Sequence, residues 1–177
     1  MNALTLESFT TLIEHSSIKP RLKRDLRFIT NTVGMTDDDW HDSEMVAIKD
    51  RTDNKGVLLV SISSGMYVLP FELKQIAKSS TTGRAQPVIC DFCRTWQSGS
   101  RAGSITFTGA KKSSTNVGYL CCLDLDCSKH VRTKTSAAKV SRAQLREDLD
   151  NEQRVDRLNN CLEKLMVYLQ VTPVTTT

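Results

Sequence analysis

Five of the six cysteines in this 177-residue chain fall between positions 90 and 127, and that clustering constrains its fold more than any other feature. The N-terminus, MNALTLESFTTLIEH, lacks a basic segment leading into an apolar one, so no secretory signal is expected and the thiols should sit in a reducing cytoplasm. In that setting clustered thiols serve as metal ligands more often than they form disulfides. Cys90-Asp91-Phe92-Cys93 spaces two sulfurs so that one tight turn after the short strand Val88-Ile89 aims both at a single ion. Cys122, at a strand end, and Cys127, at a helix start, supply the second pair. Cys121 is turned away by the period-two alternation of the strand and is the spare thiol. Four thiolates close a tetrahedral zinc shell with no open position, which makes one structural zinc. His130 competes as a fourth ligand through the spacing Cys127-x₂-His130; otherwise it reads as an exposed histidine beside Lys129. Cys161 lies beside the apolar stripe of a C-terminal helix and reads as a buried thiol.

A thiol pair on a hairpin knuckle, joined to a pair at a strand end and helix start, is the treble-clef arrangement. Around it the pattern predicts an α+β chain: a helical N-terminal part (1–50) packed on a small treble-clef zinc domain with a C-terminal amphipathic helix (51–171), then a disordered tail (172–177). Leu4, Phe9, Leu12 and Ile13 form one helical stripe; Leu22, Leu26, Ile29 and Val33 form a second. Thr36 followed by Asp37, Asp38 and Asp39 offers an N-cap and first-turn acids for a short third helix. Val57–Ser61 and Met66–Leu69 read as a hairpin turning at Ser63-Ser64-Gly65, and 71–78 (FELKQIAK) as a brief helix. Polar residues 79–86 are expected to be a linker. Ile105–Thr108 and Val117–Leu120 read as strands, and 128–134 as a short helix. Val155, Leu158, Leu162, Leu165 and Leu169 mark the C-terminal helix.

The net charge of +4 is unevenly spread. Residues 74–146 hold 13 of the 24 Lys and Arg but only 3 of the 20 Asp and Glu, so that segment carries +10 and the remainder −6. Such a segment suits an acidic protein or nucleic acid. A zinc-fixed knuckle would present side chains at little entropic cost. Phe92, Trp96 and Tyr119 are the aromatics near the ligands in sequence that could anchor a partner, with Lys111, Lys112, Lys129 and Arg132 as complementary charge.

The order of motifs is more specific than the spacing of the cysteines. Cys90-x-Phe92-Cys93-x₂-Trp96, Gly118-Tyr119-Leu120-x-Cys122-x-Asp124-Leu125-x-Cys127-Ser128, Val131-Arg132 and Glu152-x-Arg154-Val155-x-Arg157-Leu158 succeed one another as in a known family. Over roughly residues 57–170 the chain resembles the treble-clef zinc-finger domain of FusB-type elongation-factor-G-binding proteins, the fusidic-acid-resistance proteins and their relatives. The resemblance implies a helical N-terminal part joined to a zinc domain. It also implies that the zinc domain binds elongation factor G and promotes its release from ribosomes stalled by fusidic acid, with no bond made or broken. The chain departs from that pattern in its short N-terminal part and in the Cys121-Cys122 doublet.

The competing expectation is a zinc module for ribosomal RNA or another nucleic acid, using the +10 segment to neutralise phosphates. A zinc hydrolase needs an open coordination position and a general base, which four thiolates do not leave. No P-loop, dinucleotide glycine fingerprint, G-x-S-x-G elbow or H-E-x-x-H helix occurs, so neither an enzyme nor a small-molecule substrate is expected. With no run of about 20 apolar residues, membrane association is not expected either.

Overall fold

The run Val57-Leu58-Leu59-Val60 has no polar residue to turn towards water, and a strand of that kind needs cover on both faces. The computed structural model, which describes residues 1–16, 18–77, 83, 86–109, 116–145 and 147–174, supplies it. The chain runs α1 (Leu6–Glu14), α2 (Pro20–Asp25), α3 (Phe28–Thr32), α4 (Asp37–His41), β1 (Met45–Lys49), β2 (Lys55–Ile62), β3 (Gly65–Gln75), β4 (Val88–Ile89), β5 (Trp96–Gln97), β6 (Ala102–Thr108), β7 (Asn116–Cys122), α5 (Cys127–Val131), α6 (Ser136–Leu145) and α7 (Asn151–Leu169). The fold is α+β. Five strands form an antiparallel sheet in the order β1-β2-β3-β6-β7, and β4 and β5 form a separate hairpin.

Alternation along β1 and β2 sorts their side chains into two cores. Val46, Ile48, Val57 and Leu59 meet Phe9, Leu12, Ile13, Phe28 and Trp40 from the N-terminal helices. Met45, Leu58 and Val60 turn to the opposite face, where Leu158, Leu162, Leu165 and Leu169 of α7 pack with the cysteines. Burying a leucine side chain contributes about 1.5–3 kcal/mol, so this stripe is what binds α7 to the sheet.

The N-terminal helices depart from the predicted stripe. Leu26 is extended (ψ 139°), which breaks the second helix into α2 and α3. Ile29 and Val33 then lie exposed, while Phe28 turns inward and stacks on Phe9 with ring centroids 4.5 Å apart. α4 forms as its cap predicts: the Asp39 amide donates to Thr36 Oγ1 (3.2 Å) and the Thr36 amide to Asp39 Oδ2 (3.1 Å). The Thr36 amide, joined by the Thr36 hydroxyl donating to the same Oδ2 at 3.0 Å, holds the Asp39 carboxyl below its usual pKa. Thr36→Ala is expected to cost about 1 kcal/mol in chemical denaturation. The Asp39 share of that loss should shrink as pH falls through its lowered pKa, because the capping carboxylate is then protonated.

The hairpin closes on a two-residue turn, Ser63-Ser64, with Ile62 opposite Gly65. Where a brief helix is predicted over 71–78, residues 71–75 are instead the end of β3, since Phe71 and Leu73 face the core and Glu72 and Lys74 face water, which is strand periodicity; residue 78 lies outside the described residues. Of the expected linker 79–86 only residues 83 and 86 lie among the described residues, and the tail from 175 lies outside them. α7 starts at an Asp150 cap that accepts from the Gln153 amide at 2.8 Å. Among the described residues no helix is long and apolar enough to cross a membrane.

Candidate metal centre

Two backbone turns deliver the sulfurs. In the first, the Arg94 amide donates to the Cys90 carbonyl at 2.9 Å and Arg94 takes a left-handed conformation (φ 57°), which curls Cys90 and Cys93 onto one side. In the second, the Leu125 amide donates to the Cys122 carbonyl at 3.1 Å, and Leu125 is left-handed (φ 60°). That bend returns the chain from the end of β7 to the start of α5, where Cys127 sits. Gly103, opposite Cys121 in the sheet, lets this second turn approach: a Cβ there would lie 2.9 Å from Leu123 Cδ1.

The four sulfurs converge in the interior. Cys122 Sγ lies 3.2 Å from Cys127 Sγ, and Cys90 Sγ lies 3.8 Å from Cys127 Sγ and 4.0 Å from Cys122 Sγ. All four, Cys93 included, lie within 4.8 Å of one another, and all are fully buried. Tetrahedral zinc with bonds of about 2.3 Å needs sulfurs about 3.8 Å apart, so the cluster fits that ion. A burial this complete would be costly for uncompensated thiolates, and a dication meets that cost. Burial opposes ionisation of Cys93, yet donors from the neighbouring thiols and His130 hold its pKa well below that of a free thiol.

A family model described as FBP C-terminal treble-clef zinc-finger matches residues 16–168. The chain belongs to this family. It is the FusB-type family of the sequence resemblance, and the match runs from just after α1 through α2–α4 to the zinc centre and α7. Comparison with curated proteins and with solved structures returned no match. In this FusB-type chain Cys90, Cys93, Cys122 and Cys127 hold one structural zinc.

The surroundings of the zinc centre were less legible. Cys121 is buried but faces the apolar core, where burial raises its pKa well above that of a free thiol. His130 is not the exposed residue its position beside Lys129 suggests. It is fully buried, with Nδ1 3.7 Å from Cys93 Sγ and Nε2 3.4 Å from Asp124 Oδ2. Burial alone would lower its pKa, but Asp124 and Cys93 outweigh that and push it up to about 10. Arg154, also buried, donates from Nη2 to the His130 carbonyl (3.3 Å) and from Nη1 to Thr133 Oγ1 (2.9 Å), which ties α5 to α7. Ser128 Oγ accepts from the Glu44 and Met45 amides at 3.1 and 3.2 Å, which ties α5 to β1.

Two of the expected partner contacts are corrected. Phe92 is fully buried, with its ring centroid 5.3 Å from that of Tyr119 and 6.4 Å from that of Phe107, so it is a core residue. Arg132 spends its guanidinium internally, donating to both carboxylate oxygens of Glu44 at 2.6 and 2.9 Å. Lys134 pairs with Asp42 at 2.8 Å. Part of the basic segment is thus neutralised by acids of the N-terminal part. Lys129 is half-exposed beside Asp126, and Trp96 and Tyr119 are half-buried. Lys111 and Lys112 lie outside the described residues.

Proposed function

We propose that the protein binds elongation factor G and promotes its release from the ribosome, acting by association and without catalysing a reaction. The observation that carries this reading is the family match over residues 16–168. The surface beside the zinc knuckle is compatible with it. Ile89 and Leu120 are exposed apolar side chains on neighbouring strands, and the Asp91 amide donates to the Leu120 carbonyl at 2.8 Å, which brings the knuckle against β7. Tyr119 and Trp96 lie half-buried in these elements and supply aromatic surface without needing to leave the fold. Where fusidic acid has trapped the factor such release would protect the ribosome, and where it has not the same release would serve ribosome recycling; the cytoplasm is the compartment in which it would act.

The nucleic-acid alternative loses support from the pairing of Arg132 and Lys134 with Glu44 and Asp42, since cations already neutralised release fewer counterions on meeting phosphates.

The test is co-elution of the purified protein with elongation factor G at low and high salt. Association that survives high salt, and that weakens about thirtyfold (~2 kcal/mol) in Tyr119→Ala without loss of fold, is the expected outcome. No association with the factor, together with tight and steeply salt-dependent binding of ribosomal RNA, would replace this reading with the alternative.

A further inference from the structure

A zinc ion held by four thiolates carries a net charge of −2, and here every one of its ligands is fully buried. Such a centre needs hydrogen-bond donors aimed at its sulfurs. Two side chains outside the ligand set provide them, and both converge on Cys93. Gln97 Nε2 donates to Thr95 Oγ1 at 2.8 Å, which leaves the Thr95 hydroxyl hydrogen for Cys93 Sγ, also 2.8 Å away. From the other side comes His130 Nδ1, 3.7 Å from the same sulfur. Among the described residues the other ring nitrogen, Nε2, has no hydrogen bond of good geometry, and Asp124 Oδ2 stands 3.4 Å from it.

We propose that His130 is a positioning residue of the zinc centre: braced at Nε2 by Asp124, it donates Nδ1–H to the Cys93 thiolate and, with Thr95, fixes that corner of the tetrahedron. Sequence placement makes the device coherent. Asp124 lies in the left-handed turn between Cys122 and Cys127, and His130 lies one helical turn after Cys127, so both move with the second ligand pair. Cys93 belongs to the first pair. The contact therefore links the two halves of the site independently of the ion, and Arg154 anchors the backbone of His130 from behind. Outer partners of this kind tune metal affinity by about 10–100-fold in other metal centres.

The alternative role for His130 is that of a ligand, since Cys122, Asp124 and His130 also lie within 4.8 Å of one another. Cadmium NMR separates the two roles. In the full chain loaded with ¹¹³Cd, a positioning role predicts a four-sulfur chemical shift together with scalar coupling between the imidazole Nδ1 proton and the metal across the N–H···S bond. A shift typical of three sulfurs and one nitrogen, or a four-sulfur shift without that coupling, would overturn the proposal. Zinc transfer to a chromophoric chelator supplies the second readout. Affinity is expected to fall about 10–100-fold in His130→Gln, and by a smaller factor in Asp124→Asn, which keeps the imidazole in place. Unchanged affinity in both variants would refute the role. The NMR measurement uses unmutated protein, so it decides the matter even where His130→Gln does not fold.

Discussion

Cys93→Ser and Cys127→Ser are each expected to lose the bound zinc, from about one per chain to none, and to unfold the part of the chain that follows Pro87. The four cysteines sit inside the same apolar core as Leu58, Leu69, Phe107, Leu158 and Leu162. Losing the ion therefore leaves four buried sulfurs with no cation to hold them together inside that core. Structural zinc contributes an apparent 10–16 kcal/mol or so in small zinc modules, comparable to the whole stability of about 5–15 kcal/mol of a typical domain. Serine cannot restore the site, because its hydroxyl is shorter and does not ionise at neutral pH. Elemental analysis reports the metal, and hydrogen exchange reports the extent of unfolding. Protection should collapse in β6, β7, α5 and α7. Acid should have the same effect on the unmutated chain, since metal binding requires the thiols to surrender their protons and zinc retention must fall as pH is lowered. One zinc per chain and native exchange protection in both variants would refute the assignment.

The metal ligands were legible because their spacing carries geometry: two residues between Cys90 and Cys93 allow one turn, and a strand end followed by a helix start allows another. α7 was legible because its leucines repeat at helical period along the chain. What was missed depends on contacts that no local pattern encodes. His130 is buried by contacts from distant parts of the chain, Cys93 against its ring and Arg154 of α7 at its carbonyl. α6 escaped because it buries small residues, Ala137, Ala138 and Ser141, and its contact is a hydrogen bond from the Trp96 amide to Ser141 Oγ at 2.7 Å rather than an apolar stripe. β1 went unseen because Met45-Val46-Ala47-Ile48 is apolar on both faces and shows no alternation until two cores are placed around it. The +10 segment is a real feature of the sequence, yet Glu44, forty-six residues before Cys90, occupies the fork of Arg132. Composition alone does not report that pairing.

Phe92→Ala is expected to destabilise the protein by about 3–5 kcal/mol, as truncation of a fully buried phenylalanine does when its surroundings cannot close the gap. Its ring meets Phe107 edge-on (88°) and Tyr119 at a tilt (43°), and Phe107 and Tyr119 meet each other, so removing Phe92 breaks two of the three contacts in an aromatic layer between knuckle and sheet. Relaxation into the cavity is restricted on the knuckle side, where Cys90 and Cys93 are fixed by the ion. The sequence places Phe92 between two ligands, and that position fits an exposed anchor and a core plug equally well. Packing decides for the plug, because the tight turn that points both sulfurs inward carries Phe92 inward with them. Tyr119 gives the contrast: half-buried at the edge of the same layer, it should lose less stability on truncation and more affinity for a docked partner. Denaturation midpoints of Phe92→Ala and Tyr119→Ala, measured beside the association with elongation factor G proposed above, separate the two roles. A Phe92→Ala protein as stable as the parent would return Phe92 to the surface.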